Sequence, residues 1–252
     1  MIVTGGARRL GAVIARLLAG RGHRVVVHHH RSSSAATALV DALGAAGGQV
    51  VAIEQDLAVA GAAEALIEAA RRALGEPVSG LVNSASLFDY DVPPIVDAVA
   101  LDRHIAVNLA APTLLASALA RQDDLGAGAV VNILDQKVAN LNPDFFSYSC
   151  SKIALAGATT MLAQALAPRI SVNAVSPGLT LPSLDQTQAE FDAVAAVNLL
   201  RRRVDPGAIA RAVDFLLTAQ GITGQNLFVD NGQRFLPRRR DVMFSTRETV
   251  HG

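Results

Sequence analysis

The feature that most constrains this chain is an alternation, sustained almost from end to end, of short apolar runs with longer segments of helical period. Residues 2–3 open a strand. Residues 10–20 then repeat Leu10, Val13, Ile14, Leu17 and Leu18 at the spacing of a helix with one buried stripe. Residues 24–28 read Arg-Val-Val-Val-His, the continuous run expected of a parallel strand covered by helices on both faces. The same reading predicts helices over 35–46, 61–74, 148–166 and 206–218, a long helical stretch over 95–121, and strands over 49–54, 80–83, 129–134, 170–175 and 226–229. Two rounds of βαβαβ without a Gly/Ser-rich linker or an internal repeat predict an α/β fold. It is a single doubly wound domain over 1–237, with a seven-stranded parallel sheet flanked by helices. Residues 180–200 interrupt the rhythm after the sixth strand, at the carboxyl edge of the sheet where such folds bind ligands. Residues 238–252 are polar and basic without a period, and predict a C-terminal tail or a segment docked on a partner subunit.

Composition narrows the class. With 51 % hydrophobic and 17 % charged residues the chain has ample material for a core and is no disordered sequence. Lys plus Arg equals Asp plus Glu at 22 each, so no overall field draws it to nucleic acid or an anionic membrane. The clusters 201–203 and 238–240 are local and read as solvated or interface charge. One Cys excludes an internal disulfide and fits a reducing compartment. No apolar run reaches the roughly 18 residues that span a bilayer, and the early glycines and arginines are unlike a signal peptide. A soluble, cytoplasmic protein with no nucleic-acid or membrane partner is expected.

The run Thr4-Gly5-Gly6-Ala7-Arg8-Arg9-Leu10-Gly11 joins the first strand to the first helix. Glycines allow a tight turn and close approach of a pyrophosphate, and the helix N-terminus offers N–H donors. Gly5, Arg9 and Leu10 are therefore candidate cofactor residues. The second strand ends in His28-His29-His30-Arg31-Ser32, and no acid is expected nearby to bond a ribose 2′-hydroxyl. Arg31, with Arg9, suits a 2′-phosphate through charge-assisted bonds, so NADPH is expected, with His28, His30 and Ser32 around the same pocket. Consecutive histidines on a strand point to opposite faces and make a poor metal cluster; no metal is expected.

Tyr148-Ser149-Cys150-Ser151-Lys152 sets a phenol and an ammonium four residues apart on one helix face. A Lys⁺ at about 4 Å in an effective dielectric near 20 stabilises phenolate by roughly 4 kcal/mol before desolvation, which would bring the phenol towards neutral pH.

With these residues assembled, the chain resembles the short-chain dehydrogenases/reductases, with their Rossmann fold, over 2–236. The matching residues are the Thr4-Gly5 turn, Asp56-Leu57, Asn83-Ser84-Ala85, Asn108, Tyr148 with Lys152, and Pro177-Gly178. The resemblance implies that Asp56 and Leu57 bracket adenine, that Asn83, Ser84, Ala85 and Ser86 line the cofactor with Pro177, Gly178 and Thr180, and that Lys152 holds the nicotinamide ribose. It also implies that Asn108 positions a proton-relay water, and that the protein is a homotetramer packed through helices 95–121 and 146–167. Val229-Asp230-Asn231-Gly232 departs from the family's Val-Asp-Gly-Gly, which puts that turn in question. Asp135 stands where the family usually has Ser. Together with Arg9, the 28–32 run and Phe88, it resembles the pteridine reductase and dihydromonapterin reductase subgroup. That resemblance makes Phe88 a stacking platform for a pterin, places Arg9 and Ser86 against pterin or phosphate, and gives the proton to Asp135 and Tyr148. The implied reaction is hydride transfer from NADPH to a C=N bond of a dihydropterin. A carbonyl reductase acting on a keto group (3-oxoacyl or sugar-like) and a non-catalytic NADPH-binding sensor are the alternatives.

Overall fold

Three consecutive valines show how the molecule is layered. Val25, Val26 and Val27 are all fully buried, yet Val25 and Val27 face one layer of helices while Val26 faces the other, because side chains alternate along a strand. They belong to the second of seven strands in a computed structural model that describes residues 1–183 and 186–244. The strands are β1 (Ile2–Val3), β2 (Val25–His29), β3 (Val50–Glu54), β4 (Gly80–Asn83), β5 (Gly128–Ile133), β6 (Ile170–Pro177) and β7 (Asn226–Val229). All neighbours pair parallel in the order β3-β2-β1-β4-β5-β6-β7. The winding reverses between β1 and β4, and the crevice outside the strand ends at that point is where this architecture binds ligands.

Helices α1 (Arg9–Gly20), α2 (Ser33–Ala45) and α8 (Pro206–Thr218) cover one face. Ile14, Leu18, Leu39, Ile209 and Val213 meet Val25, Val27, Val131 and Val175 there. Helices α3 (Ala62–Leu74), α5 (Ala111–Ala120) and α6 (Phe146–Leu166) cover the other. Leu66, Ile67, Leu115 and Leu119 meet Ile2, Val26, Leu81 and Val130. Burial of each such side chain contributes about 1.5–3 kcal/mol. Most element ends fall within a residue or two of the sequence expectation, as cap geometry allows.

Three segments differ from expectation. The long stretch 95–121 is α4 (Ala98–Ile105), a π-helical turn (Ala106–Ala110) and α5. Pro112 cannot donate an N–H to the carbonyl of Asn108, and the helix widens just ahead of it. The break after β6 contains α7 (Gln188–Val194), started by a capping box between Thr187 and Glu190. The supposed tail is, in its described part, packed onto its own subunit. Val242 and Met243 are buried, and Arg240 forks onto the buried Asp144. These two apolar residues were hidden in a stretch that is basic on average; residues 245–252 lie outside the described part. Among the described residues no helix is long and apolar enough to cross a membrane.

The switch point is held by Thr4, 1 % exposed. Its hydroxyl donates to the Val82 carbonyl (3.3 Å) and accepts from the amides of Ser84 (2.9 Å) and Ala85 (3.0 Å), tying the end of β1 to the end of β4. Thr4→Val keeps the shape but leaves two amides without an acceptor. It is expected to cost about 2 kcal/mol or more and to lower Tm by roughly 4–8 °C in thermal unfolding. An unchanged Tm would show that the hydroxyl does not hold the two strand ends.

Candidate active site

The glycine turn fits only a bare backbone. Gly5 has φ +61°, and a Cβ there would sit 2.9 Å from Ala85 Cα; one at Gly11 would collide with the Gly5 carbonyl. The resulting concavity, at the N-terminus of α1, leaves amides open to an anion. Arg9 is exposed with φ 51°, a left-handed conformation unusual for a side-chain-bearing residue and a common mark of functional sites; Leu10 is half-buried behind it.

His28 does not line this pocket as expected. It is 2 % exposed, its Nδ1 accepts from the Gly5 amide (3.1 Å), and its Nε2 lies 2.9 Å from the Gln55 carbonyl. Since a carbonyl can only accept, Nε2 carries the proton and the ring is neutral, in keeping with a pKa lowered by burial to about 4. Both nitrogens are spent, so His28 shapes the turn instead of touching a phosphate. The expectation of no acid at this strand end also needs correction: the parallel register of β2 and β3 sets His29 beside Glu54. His30 Nε2 then lies 3.6 Å from Asp56 Oδ2. Arg31 is exposed just beyond the strand, with Ser32 in the cap position of α2 but making no side-chain cap bond. Asp56 accepts from the Ala58 amide (3.0 Å), and Leu57 packs into the core.

Across the switch point, Asn83 donates to Asn132 Oδ1 (2.8 Å), and Asn132 to Thr159 (2.9 Å), linking β4, β5 and α6. Ser84 and Ala85 spend their amides on Thr4. Asn108, fully buried in the π turn, accepts from the Leu87 amide (2.8 Å) and the Ser86 hydroxyl (3.2 Å), and donates to the Leu87 carbonyl (3.0 Å) and to Ser151 (3.0 Å). Its amide is a clamp between the loop after β4 and α6, which differs from the expected water-holding part. On the far side, Pro177 ends β6, a Cβ on Gly178 would lie 2.8 Å from Asp230 Cα, and Thr180 is half-buried next to them. The departure at Asn231 leaves the turn intact, because Asn231 itself takes the left-handed conformation at φ 52°.

The reactive groups converge between β5 and α6. Phe145, at φ 55°, provides no cap for α6. Asp91 supplies one from the loop after β4: its carboxylate accepts from the Ser147 amide (3.0 Å) and hydroxyl, and its carbonyl from the Phe146 amide (3.1 Å). At the next residue, the Tyr148 hydroxyl donates to Asp135 Oδ2 at 2.7 Å. Lys152 does not reach the phenolic oxygen. Its ammonium donates to the Ile133 carbonyl (2.8 Å) and sits 5.7 Å from the centre of the Tyr148 ring.

The expected lowering of the phenol is reversed in consequence. Burial, then the Asp135 carboxylate, push Tyr148 well above its usual pKa. Burial also raises Asp135, against the opposing bonds from the Lys137 amide and Tyr148, and lowers Lys152 to about 8. Tyr148 is therefore arranged to keep its proton, as a donor needs, and not to rest as a phenolate.

Phe88 stacks on Phe145 (ring centres 4.1 Å, planes 14° apart) and meets Tyr148 edge-on (4.7 Å). Phe88 as a whole is still 36 % exposed. Phe145, Tyr90, Phe244, Lys137 and Asp241 complete this corner and were not anticipated. Phe145 stands three residues before Tyr148, a readable signal, but nothing local links Lys137 to Asp241, 104 positions away.

Comparison with known proteins supports the fold. The short chain dehydrogenase family model matches residues 1–193. The crystal structure of FolM alternative dihydrofolate reductase 1 from Brucella suis in complex with NADP superposes with a TM-score of 0.90 at 39 % identity, covering 95 % of this chain and 96 % of that one. An uncharacterised oxidoreductase of Methylorubrum extorquens is 34 % identical, over 92 % of this chain and 96 % of that protein. A dihydromonapterin reductase of Citrobacter koseri is 29 % identical over 92 % and 95 % respectively. Carbonyl-reducing enzymes are also among the similar proteins. The matched span takes in six of the seven strands, the glycine turn and the Tyr148–Lys152 helix, and the chain belongs to the short-chain dehydrogenase/reductase family.

Proposed function

We propose that this chain is an NADPH-dependent reductase acting on a C=N bond of a dihydropterin-like substrate. The observation that carries the reading is the 2.7 Å bond from Tyr148 to Asp135, with Phe88 edge-on to the same phenol. A ketone reductase needs donors aimed at a carbonyl oxygen. Here the phenol's proton is directed to a carboxylate, which suits the N–H donors of an aminopyrimidine edge far better than a carbonyl. The similarity to an alternative dihydrofolate reductase and to a dihydromonapterin reductase supports the same substrate class.

The cofactor fits the residues present. The cradle at Gly5 and Gly11 takes a pyrophosphate where a Cβ would not fit. Arg31 and Arg9, with Ser32 and His30 beside them, suit the 2′-phosphate, while Asp56 and Leu57 flank the adenine end. Lys152 and Tyr148 face the nicotinamide ribose, and Pro177, Gly178 and Thr180 close the carboxamide end. When bound, NADPH supplies the hydride. Phe88 offers an aromatic face to a flat substrate, with Ser86 and Arg9 at its edge. Tyr148 and Asp135 share the proton that the substrate's ring nitrogen takes up, and Lys152, still cationic below about pH 8, supports the charge. Asn108 keeps loop 86–87 and α6 in register around them. We also propose a homotetramer built on α4, α5 and α6, because Val99, Leu114, Ile153 and Met161 leave exposed apolar surface on those helices.

The reading is tested by following NADPH oxidation with 7,8-dihydropterin, with a simple ketone, and with neither. Turnover is expected with the pterin; turnover with the ketone alone would favour the carbonyl reductase. Tyr148→Phe is expected to lower kcat by about 10²–10⁴-fold with NADPH affinity nearly unchanged, as measured by fluorescence titration. Arg31→Ala is expected to raise KM for NADPH by roughly 10-fold or more, as loss of a charge-assisted bond does, with little change for NADH. Equal losses on both cofactors would remove the 2′-phosphate assignment.

A further inference from the structure

Asp135 is fixed by two donors on its two oxygens. Oδ2 takes the Tyr148 hydroxyl, and Oδ1 takes the Lys137 backbone amide at 2.8 Å, as the cap of a short 3₁₀ turn over Gln136–Ala139. The direction of the carboxylate therefore depends on where residue 137 lies. Its side chain is buried, 3 % exposed, and a buried ammonium is held only by good partners. It donates to Asp241 Oδ2 (2.8 Å) and Asn142 Oδ1 (2.9 Å), and lies 5.6 Å from the Phe145 ring centre.

Asp241 arrives from the far end of the chain and is itself held firmly. Its amide donates to Asp144 Oδ2 (2.7 Å), and its Oδ1 accepts from the Met243 amide (3.1 Å). The neighbouring Arg240 forks onto the same Asp144, which also accepts from the Tyr90 hydroxyl (3.2 Å). Phe244 then closes over Phe145 and Tyr90 (ring centres 6.1 and 5.4 Å). Residues 240–244 thus form a strap over the loop 142–145, directly behind the ring on which Phe88 stacks.

We propose that Lys137 is a positioning residue for the Asp135–Tyr148 proton pair, and that Asp241, carried by this strap, sets its effect. The proposal rests on the reading of Asp135 and Tyr148 as proton donors, and not on the substrate being a pterin. The charged and titratable groups facing the pair are Lys152 from α6, Lys137 from the 3₁₀ turn and Asp241 from the strap. Burial is the main cause that raises Asp135; the charge of Lys137 lowers it and that of Asp241 raises it again. The charge of Asp241 also adds to the rise at Tyr148. Substitutions at the two positions consequently act in opposite directions.

The test is the pH dependence of kcat for the full-length protein and its Asp241→Asn and Lys137→Met variants. Each is assayed with whichever of dihydropterin or ketone the wild type reduces, so that a wrong substrate class does not disturb the result. Because the donor pair must hold its proton, kcat falls on the alkaline side. Asp241→Asn removes a charge that raises the pair, so the fall is expected at lower pH than in the wild type. Lys137→Met removes a charge that lowers it, so the fall is expected at higher pH. Asp241→Glu is expected to restore the wild-type profile, and both variants to keep KM for NADPH within about twofold. If either variant fails to fold, Arg240→Ala, which loosens the strap at Asp144, is expected to lower kcat with KM for NADPH held. Alkaline limbs that do not move, or that move the same way, would overturn the proposal, as would an Arg240→Ala variant with wild-type kcat.

Discussion

A hydrogen bond of 2.7 Å between the Tyr148 hydroxyl and the Asp135 carboxylate is the contact on which the site depends. Its two ends come from different elements, the end of β5 and the first turn of α6, and neither would hold its place alone. Asp91 fixes the start of α6 from a loop that is distant in sequence, and the Lys137 amide fixes the carboxylate. Both supports are buried polar contacts, whose loss leaves charges or amides unsatisfied at about 1–3 kcal/mol each. The bond also decides the protonation chemistry. A phenol that donates to a buried carboxylate resists ionisation, so Tyr148 keeps its proton at neutral pH.

The sheet and its helices were legible in the sequence because both report through periodicity. The Val run of β2 and the 3,4 spacing of α1 state their burial directly, and Gly75 closes α3 in a left-handed conformation as helix-ending glycines do. The π turn was not legible. Its cause, Pro112, is a single residue in an otherwise uniform Ala/Leu pattern, and such turns recur at functional positions, here around Asn108. The strap at 240–244 was hidden for a different reason: an average over 238–252 is basic, while its two anchoring apolar residues are buried through contacts with parts of the chain distant in sequence, among them Phe145, Tyr148 and α7.

Site residues divide along the same line. Tyr148 and the glycine turn were singled out by residue type and local spacing, whereas Asp135 and Phe88 stood out only through the resemblance to the pteridine reductase subgroup. His28 was misjudged because its neighbours Gly5 and Gln55 arrive through sheet topology, which turns a candidate phosphate contact into the support of the turn. The influence of Lys152 on the phenol was overestimated from spacing alone. Four residues along a helix place the ammonium near the ring, but the Ile133 carbonyl captures it. Pairwise spacing gives proximity, and only the full set of competing acceptors gives electrostatics.

The glycine cradle and the strap are separate parts of the chain, one shaped for a pyrophosphate and the other tied through Lys137 to the turn that fixes Asp135. The most direct measurement of that account is single-turnover reduction of 7,8-dihydropterin by Asp135→Asn with saturating NADPH. The amide still accepts the phenol's hydrogen bond but cannot carry a proton. The account expects the rate to fall by about 10²-fold or more while NADPH binds as tightly as before. A rate equal to that of the wild type would contradict it.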